Sequence, residues 1–301
     1  MTFNQLELRA EIANMFGVER ENVRILQDNL GSTGQVARCD VLLGKEVKEF
    51  FVRSEKGDNQ YELYRKVLKP LSLNSPLIYG HFETNGEHYL LYESITYNDN
   101  PWNSLGYLET AVDWLIYKDR VIKDHWEEIR NYNFIEPVPM NVFDFFDTNT
   151  DRLSDMDEEL YSLFKLKKKR VLALLEVLHE SQLTLVHNDV HRWNMLIPSA
   201  NSSVSEMKVI DWSGGWGSNA LDISKLYLFA DKPYKKIVKS LYQSVFDHAH
   251  FERDFKAGLL YNLLWTLFWH CRQVDQNAER SLSRHEMKKI TDQMVEIIED
   301  L

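Results

Sequence analysis

The chain has 301 residues, of which 44% are hydrophobic, so it can build a sizeable core and is not expected to be disordered. Its formal net charge of −11 argues against nucleic acid as a partner, because nucleic-acid binding requires clustered lysine and arginine. The two cysteines, Cys39 and Cys271, form neither a metal-binding spacing nor a disulfide framework, which favours a reducing cytoplasm.

The sequence also argues against insertion into a membrane. The amino terminus lacks the basic and then apolar pattern of a secretory signal. The longest apolar run, at residues 259–269, is interrupted by polar side chains and falls short of the roughly twenty residues that a membrane span requires. We therefore expect a protein without a membrane partner.

The first predicted strands flank a turn that is rich in glycine. Residues 23–30 and 35–43 have the composition of two strands. The turn between them consists of Gly31, Ser32, Thr33 and Gly34. A turn flanked by glycines lets backbone N–H groups approach phosphate oxygens, because no Cβ lies in the way. Many ordinary hairpin turns share this pattern, so both interpretations stay open here.

The next elements predict more of a sheet and one short helix. Residues 49–54 indicate a strand, and residues 58–68 indicate a helix with an apolar stripe. Asn85-Gly86 lies between two alternating runs, at 76–82 and 88–93, which is a strong signal for a β-hairpin.

The remainder of the chain is predicted to be mainly helical. Helical spacing of apolar residues occurs at 105–120, 154–181, 257–272 and 285–299. Strands followed by helices indicate an α+β protein with a sheet-rich part and a helical part. A cluster of turn-forming residues at 98–101 marks the boundary. We therefore divide the chain into residues 1–95, a linker at 96–104, and residues 105–301.

The segment most informative for chemistry follows the apolar run at 183–186. Asp189 is followed five residues later by Asn194, and Asp211 closes a second apolar run. In phosphoryl transfer, one carboxylate accepts the proton of the attacking hydroxyl, while an amide and a second carboxylate hold Mg²⁺ against the phosphates. Asp and Asn after a strand are also common turn residues. The spacing within a loop, strand, turn, strand unit favours the chemical interpretation.

These residues resemble a known family. The pattern His-x-Asp-x-His-x-x-Asn at 187–194, with Ile-Asp-Trp at 210–212, is similar to that of the aminoglycoside phosphotransferase and choline kinase-like family. The resemblance implies a bilobal, protein-kinase-like fold with a small antiparallel-sheet N-lobe for the nucleotide and a larger helical C-lobe. It implies Asp189 as the catalytic base, Asn194 and Asp211 as Mg²⁺ ligands, and ATP or GTP as the phosphoryl donor. It also implies that Asp222 braces the catalytic loop.

The resemblance further assigns nucleotide contacts in the N-lobe. Arg53 stands where kinases carry a phosphate-binding lysine, and Glu62 would be its partner on the following helix. Arginine keeps the charge, but it is not equivalent to lysine. Lys48 would lie too early on the strand, and an exposed strand arginine without a role is the alternative. Backbone groups from Glu93 to Ile95 would bind the adenine edge.

The expected activity is transfer of the γ-phosphoryl group to a hydroxyl of a small molecule. An acidic protein suits a cationic acceptor, so an aminoglycoside-like compound or an amino alcohol is favoured. Two alternatives remain: a kinase-like module that binds nucleotide with little turnover, and a kinase that acts on protein. The short segment after Asp211 disfavours the second. His187 and His191 are interpreted as packing or bracing residues, with metal binding as the alternative.

Overall fold

A computed structural model describes residues 5–30, 36–55, 59–84, 86–95, 97, 104–138, 154–180, 183–212, 214–245, 250–275 and 282–301. Its internal contacts separate two units. The first unit comprises Met1–Asp99, Tyr132–Ile135 and Met195–Ile210, and the second comprises Asn100–Asn131, Glu136–Asn194 and Asp211–Leu301. The predicted turn of Gly31, Ser32, Thr33 and Gly34, and most of the predicted linker at 96–104, lie outside the described residues.

The first unit contains a five-stranded antiparallel sheet with the strand order β1-β2-β3-β5-β4. Its strands are β1 (Val23–Leu30), β2 (Val36–Leu43), β3 (Glu46–Glu55), β4 (Ile78–Thr84) and β5 (Glu87–Glu93). The predicted strands are confirmed, and the pairing of Thr84 with Glu87 confirms the hairpin expected around Gly86. Ala37, Cys39 and Val41 alternate along β2 with more exposed residues and are buried, as the period of a half-buried strand requires.

A helix that the sequence pattern did not predict packs on this sheet. Helix α1 (Gln5–Phe16) contributes Leu8, Ile12 and Ala13 to the core that the strands bury. The apolar stripe of α1 is hard to see in the sequence, because Leu6 and Met15 are also apolar but are exposed. Packing on the sheet, more than an amphipathic pattern of its own, therefore stabilises this helix.

The predicted helix at 58–68 is present, but it changes its winding. It begins as helix α2 (Asn59–Leu63) and continues as a π-helical turn over Tyr64–Leu68. The π turn buries Tyr64, Val67 and Leu68, so the wider winding brings these three side chains into the core. Single π turns within helices are uncommon and usually mark a local adjustment of this kind.

The second unit is mainly helical, as predicted. It contains α3 (Leu105–Asp124), α4 (Trp126–Ile129), α5 (Glu158–Glu180), α6 (Ala220–Phe229), α7 (Lys235–Gln243), α8 (Phe251–Asp275) and α9 (Arg284–Glu299). A short antiparallel ladder joins β6 (Leu183–Leu185) to β9 (Trp216–Ser218). The predictions for α3, α5, α8 and α9 are confirmed with shifted ends, whereas α6 and α7 were not predicted.

Helices α5, α6, α8 and α9 bury one continuous apolar cluster. Its centre includes Leu160 and Phe164 of α5 and Leu260 and Leu264 of α8, each with at most 2% of its surface exposed. Burying a leucine or phenylalanine side chain contributes about 1.5–3 kcal/mol. This cluster therefore supplies a rigid base for the loop that follows β6. Among the described helices, none combines the length and apolar character needed to cross a lipid bilayer.

A small hairpin from late in the chain belongs to the first unit. Its strands are β7 (Met195–Leu196) and β8 (Lys208–Val209). The N–H of Val209 donates to the carbonyl of Asn74 at 2.8 Å, and the side chain of Asn74 donates to the carbonyl of Val204 at 2.7 Å. The sequence analysis placed these residues in the C-terminal part, because contacts across such a separation leave no local signal.

Candidate active site

The loop from His187 to Asn194, here called the catalytic loop, brings together two of the residues predicted from the sequence. The side-chain amide of Asn194 donates to the carboxylate Oδ2 of Asp189 at 3.0 Å and to its backbone carbonyl at 3.0 Å. Nε2 of His191 lies 3.1 Å from the same Oδ2. One carboxylate oxygen of Asp189 is therefore held from two sides, whereas its Oδ1 has no hydrogen-bond donor among the described residues.

The surroundings keep Asp189 ionised. Burial raises the pKa of this carboxyl, but the hydrogen bond and charge of His191, with the charges of Lys225 and His187, outweigh it and lower the pKa to about 2. The side chain remains 37% exposed, so its free oxygen can be reached from solvent. An ionised, accessible carboxylate on a rigid loop is suited to accept a proton from a bound hydroxyl.

A buried ion pair holds the start of the catalytic loop. Asp222 of α6 accepts the backbone N–H groups of His187 at 2.9 Å and Asn188 at 2.8 Å. The ammonium group of Lys118 in α3 lies 2.9 Å from Asp222 and also donates to the carbonyl of Leu185. Burial lowers the pKa of Lys118, but Asp119 and Asp222 outweigh this effect and raise it. Asn188 adopts a φ of 64°, a left-handed conformation that the hydrogen bond to Asp222 stabilises.

The ion pair continues into a second buried layer. Lys118 also contacts Asp119 at 2.8 Å, and this carboxylate accepts hydrogen bonds from Thr184 at 2.9 Å and from the hydroxyl of Tyr242. Burial, together with the carboxylate of Asp119, raises the pKa of Tyr242 well above its usual value, so the phenol remains a donor. The network thus connects α3, β6, α6 and α7 beneath the catalytic loop.

Asp211, the third predicted residue, has a left-handed backbone conformation. Its φ is 59°, a region that residues other than glycine occupy uncommonly, although asparagine and aspartate do so more than most. The next residue, Trp212, packs on His187 with ring centroids 4.9 Å apart and on Trp114 at 5.7 Å. These contacts anchor Asp211 to the start of the catalytic loop. Such backbone strain concentrates at functional sites.

The two histidines of the loop have different environments. His187 is fully buried between Trp114 and Trp212, which supports the packing role expected for it. His191 contacts Asp189 through Nε2, and its Nδ1 accepts the N–H of Trp193. Within the described part of the chain, no cluster of three or more His, Cys, Asp or Glu side chains could hold a metal by itself.

The donor set nevertheless fits Mg²⁺ in the presence of phosphates. The amide nitrogen of Asn194 is turned towards Asp189, which leaves its Oδ1 without a hydrogen-bond donor among the described residues. Amide and carboxylate oxygens are hard ligands, and Mg²⁺ bound to a nucleotide typically takes only one or two protein ligands. Asn194 and Asp211 are therefore the residues that could hold this ion.

A cation that the sequence pattern did not indicate lies beside Asp189. Lys225 of α6 is only 6% exposed, and its Nζ lies 3.9 Å from Oδ1 of Asp189. Burial lowers the pKa of Lys225 more than the carboxylates of Asp189 and Asp222 raise it. The available signal was a lysine within the apolar run of residues 221–229, just as Lys118 and Asp119 interrupt the apolar run of α3.

In the first unit, Arg53 and Glu62 have ion-pair partners other than each other. Arg53 lies 3.1 Å from Glu55 on its own strand, β3. Glu62 instead pairs with Arg65 at 3.0 Å and with Lys66 at 2.6 Å on its own helix. The expected pairing was therefore wrong. Two cations lie one helical turn after Glu62, and such local pairs form without ordering a second element. The hydrogen bond from Lys66 is the largest cause of the lowered pKa of Glu62.

Strand β5 ends at Glu93, and Ile95 lies two residues beyond it. Backbone groups of this segment were expected to contact adenine. The N–H of Glu93 already donates to the carbonyl of Leu77 at 2.9 Å, and its carboxylate accepts the N–H of Leu77 at 2.8 Å and contacts Lys208 at 3.0 Å. The N–H and the side chain of Glu93 are thus engaged within the first unit.

Comparisons with known proteins agree with this architecture. The model described as the ecdysteroid kinase-like family matches residues 115–250, which include the catalytic loop and Asp211. No curated protein matches the chain with significant sequence similarity.

Several solved structures share the fold. A choline/ethanolamine kinase family protein from Mesorhizobium loti is 14% identical with a TM-score of 0.61, covering 97% of this chain and 94% of that one. Choline kinase from Cryptosporidium parvum is 16% identical with a TM-score of 0.59, covering 98% and 96%. Aminoglycoside phosphotransferase APH(4)-Ia, in a complex with AMP-PNP and hygromycin B, is 12% identical with a TM-score of 0.62, covering 97% and 98%. The expected fold and the resemblance are confirmed, and the neighbours are small-molecule phosphotransferases.

Proposed function

We propose that this chain is a magnesium-dependent phosphotransferase that moves the γ-phosphoryl group of ATP or GTP to a hydroxyl of a small molecule. One observation carries the proposal, namely the asymmetric environment of Asp189. Its Oδ2 is fixed by His191 and Asn194, whereas its Oδ1 accepts no hydrogen bond from the described residues. An ionised carboxylate with one fixed and one free oxygen is what proton acceptance from a bound hydroxyl requires.

In the proposed mechanism, Asp189 orients the acceptor hydroxyl and takes its proton as the hydroxyl oxygen attacks the γ-phosphorus. The bond between this phosphorus and the bridging oxygen breaks, and the nucleoside diphosphate leaves with the electron pair. Asn194, through Oδ1, and Asp211 would hold Mg²⁺. When bound, this ion neutralises charge on the phosphate oxygens. Lys118 and Asp222 keep the backbone of the catalytic loop in place during the reaction.

The nucleotide contacts remain predictions within this proposal. The turn of Gly31, Ser32, Thr33 and Gly34 covers the phosphates through its backbone N–H groups. Arg53 supplies a cation to the phosphates, independently of Glu62. The adenine edge is bound by backbone groups from Glu93 to Ile95, other than the N–H of Glu93, which already donates to Leu77.

The acceptor is a small molecule with a free hydroxyl group. The charges of the protein support two different expectations for the charge of the acceptor. The net charge of −11 favours a cationic acceptor through steering. Lys225 near Asp189, and Arg192 within the catalytic loop, favour a neutral one close to the reacting oxygen. An acceptor screen therefore has to contain amino alcohols and aminoglycosides together with uncharged alcohols.

The test is the variant Asp189→Asn, with Asp231→Asn on an exposed loop as the matched control. Acceptor-dependent release of ADP is measured with ATP and Mg²⁺, and ATP affinity is measured by calorimetry. We expect Asp189→Asn to lose at least about a hundredfold in turnover, the usual contribution of a general base. ATP affinity should stay close to that of the wild type. Unchanged turnover in this variant would refute the role of Asp189.

The same assays distinguish the alternatives. A kinase-like binding module would bind ATP but release no ADP with any acceptor. A protein kinase would transfer labelled phosphate to protein in preference to small alcohols. The small-molecule activity is supported by the short connection from Asp211 to α6, which spans residues 212–219 and leaves little room for a protein-binding segment.

A further inference from the structure

The side chain of Lys225 has a position that the proposed mechanism does not yet use. It is largely buried, with 8% of its surface exposed. An ammonium carries three N–H donors, and none of them finds a hydrogen-bond acceptor among the described residues. The Nζ atom itself keeps some contact with solvent, so its donors are available to a bound molecule.

The nearest groups do not satisfy the ammonium. Oδ1 of Asp189 lies 3.9 Å away, which allows charge attraction but exceeds the length of a hydrogen bond. The ring of Phe229 lies 5.7 Å from Nζ and offers only a weak cation–π contact. Asp222 adds charge attraction, but its oxygens bind Lys118 and two backbone N–H groups.

One oxygen atom can contact Lys225 and Asp189 at the same time, from one side of the line that joins Nζ to Oδ1. An oxygen about 2.8 Å from each of two atoms bridges them when they are less than about 5.6 Å apart, and 3.9 Å meets this condition. A hydroxyl has one donor and two lone pairs, so it can donate to Oδ1 and accept from Nζ at once. Its second lone pair then stays free for attack on phosphorus.

We propose that Lys225 is a further catalytic residue, which binds the acceptor hydroxyl oxygen together with Oδ1 of Asp189. This inference rests on the proposed function. In the reaction the hydroxyl O–H bond breaks and the proton passes to Oδ1. The oxygen forms its bond to the γ-phosphorus, the bond from phosphorus to the bridging oxygen breaks, and the diphosphate leaves with the electron pair. Lys225 keeps its protons throughout and acts by orientation.

The probe is water as the acceptor, because the natural acceptor is not identified. Hydrolysis of ATP with Mg²⁺ is measured for the wild type, Lys225→Met and Lys225→Arg. Lys232→Met, in the exposed turn after α6, is the control. We expect Lys225→Met to lower the hydrolysis rate at saturating ATP by at least about tenfold, because orientation of the attacking oxygen is lost. The KM for ATP should not change. Lys225→Arg should recover part of the rate, and Lys232→Met should match the wild type.

A measurement of stability separates this role from a merely structural one. Methionine keeps most of the buried hydrocarbon chain and removes a charge that makes no hydrogen bond to the described residues, so we expect Lys225→Met to have a Tm no lower than that of the wild type. If Lys225→Met hydrolyses ATP at the wild-type rate, the proposal is overturned. The proposal is also overturned if Lys225→Met loses hydrolysis and has a lower Tm, or fails to fold. Either result would show that Lys225 is needed for the stability of the fold.

Asp189→Asn is assayed in parallel to separate this inference from the proposed function. Hydrolysis that is equal in the wild type and Asp189→Asn would reject the proposed function itself. Hydrolysis that is lost in Asp189→Asn but retained in Lys225→Met would reject only the role of Lys225.

Discussion

Lys118 and Asp222 form an ion pair at 2.9 Å with neither side chain exposed to solvent, and Asp222 at the same time accepts two backbone N–H groups of the catalytic loop. The position of Asp189 therefore depends on a cation in a helix that makes no contribution to the chemistry. Buried pairs of this kind add little net stability when intact, but they are costly to break.

Replacing Lys118 with methionine removes the cation and leaves two carboxylates, Asp119 and Asp222, buried without it. We expect Lys118→Met to lower the free energy of unfolding by about 3–5 kcal/mol, measured by urea denaturation. Lys123→Met, on an exposed position of the same helix, should remain within about 0.5 kcal/mol of the wild type. Equal stability of both variants would mean that the buried carboxylates do not need the charge of Lys118.

Gly214 passes close to the strand that leads into the catalytic loop. A Cβ added at Gly214 would lie 1.8 Å from the carbonyl oxygen of Val186, a backbone atom that cannot turn away. We expect Gly214→Ala to cost about 1–3 kcal/mol of stability and to reduce ADP release, because the loop backbone must shift. At Gly44 a Cβ would meet nothing within 4 Å, so Gly44→Ala is a glycine replacement without a steric clash, and its φ of 67° gives it only a local backbone cost that Gly214 does not share. The prediction fails if the two variants have the same turnover.

Asp157 connects the start of α5 to α9. Its Oδ1 accepts the N–H of Leu160 at 3.0 Å, and its Oδ2 accepts from Thr291 at 3.0 Å and contacts Lys288 at 3.2 Å. Burial raises the pKa of Asp157, but these donors outweigh it and lower the pKa below its usual value. A lowered pKa stabilises the folded state above the unfolded-state pKa, and this contribution is lost as the pH falls through the folded-state pKa.

We accordingly expect Asp157→Ala to destabilise the protein by about 1–2 kcal/mol at pH 7, the usual cost of losing a helix cap. The difference from the wild type should shrink once the pH drops below about 4, where the carboxyl begins to bind its proton in the unfolded state before it does so in the folded state. Asp155→Ala, at an exposed neighbouring position, serves as the control. Thermal unfolding of the wild type, Asp157→Ala and Asp155→Ala between pH 3 and pH 7 measures these differences in stability. A difference that stays constant with pH would contradict the assignment.

Arg53 and Glu62 should differ in their importance for nucleotide binding. Because Glu62 pairs with Arg65 and Lys66, and not with Arg53, its charge is not needed to position the arginine. We expect Arg53→Met to weaken ATP binding about tenfold, the loss of one charge-assisted contact to phosphate. Glu62→Gln should leave the affinity unchanged. Calorimetric titration with ATP tests both, with Arg24→Met as the control. An equal loss of ATP affinity in the Arg53 and Glu62 variants would indicate that the two residues act as a pair, as in kinases.

Local patterns allowed the strands and the long helices to be predicted, and they singled out Asp189 and Asn194 as functional residues. The two residues are close in sequence within one loop, and the structure brings their side chains into contact. The pairing of Arg53 with Glu62 was wrong because the cations of Arg65 and Lys66 compete from one turn away. Local charges of this kind are visible in the sequence at positions i+3 and i+4 from Glu62, whereas a pairing with Arg53 requires contact between a strand and a helix.

Lys118 and Lys225 could not be assigned from the sequence, because their partners lie far along the chain. Lys118 meets Asp222 across more than a hundred residues, and periodicity carries no information about such pairs. A lysine within an apolar helix indicates only that its charge must be satisfied somewhere. Helices α1, α6 and α7 were missed for a related reason, since packing against distant elements stabilises them more than their own pattern does.

The contact between Asn74 and the β7–β8 hairpin has a consequence for biosynthesis. The amino-terminal unit includes Met195–Ile210, so it stays incomplete until the ribosome has added residue 210 of the 301. A fragment that stops at Asp99 would leave the side chain of Asn74 without the carbonyl group that it binds. Folding therefore cannot proceed strictly from the first unit to the second, because the first unit still lacks its β7–β8 hairpin while α3, α4 and α5 emerge from the ribosome.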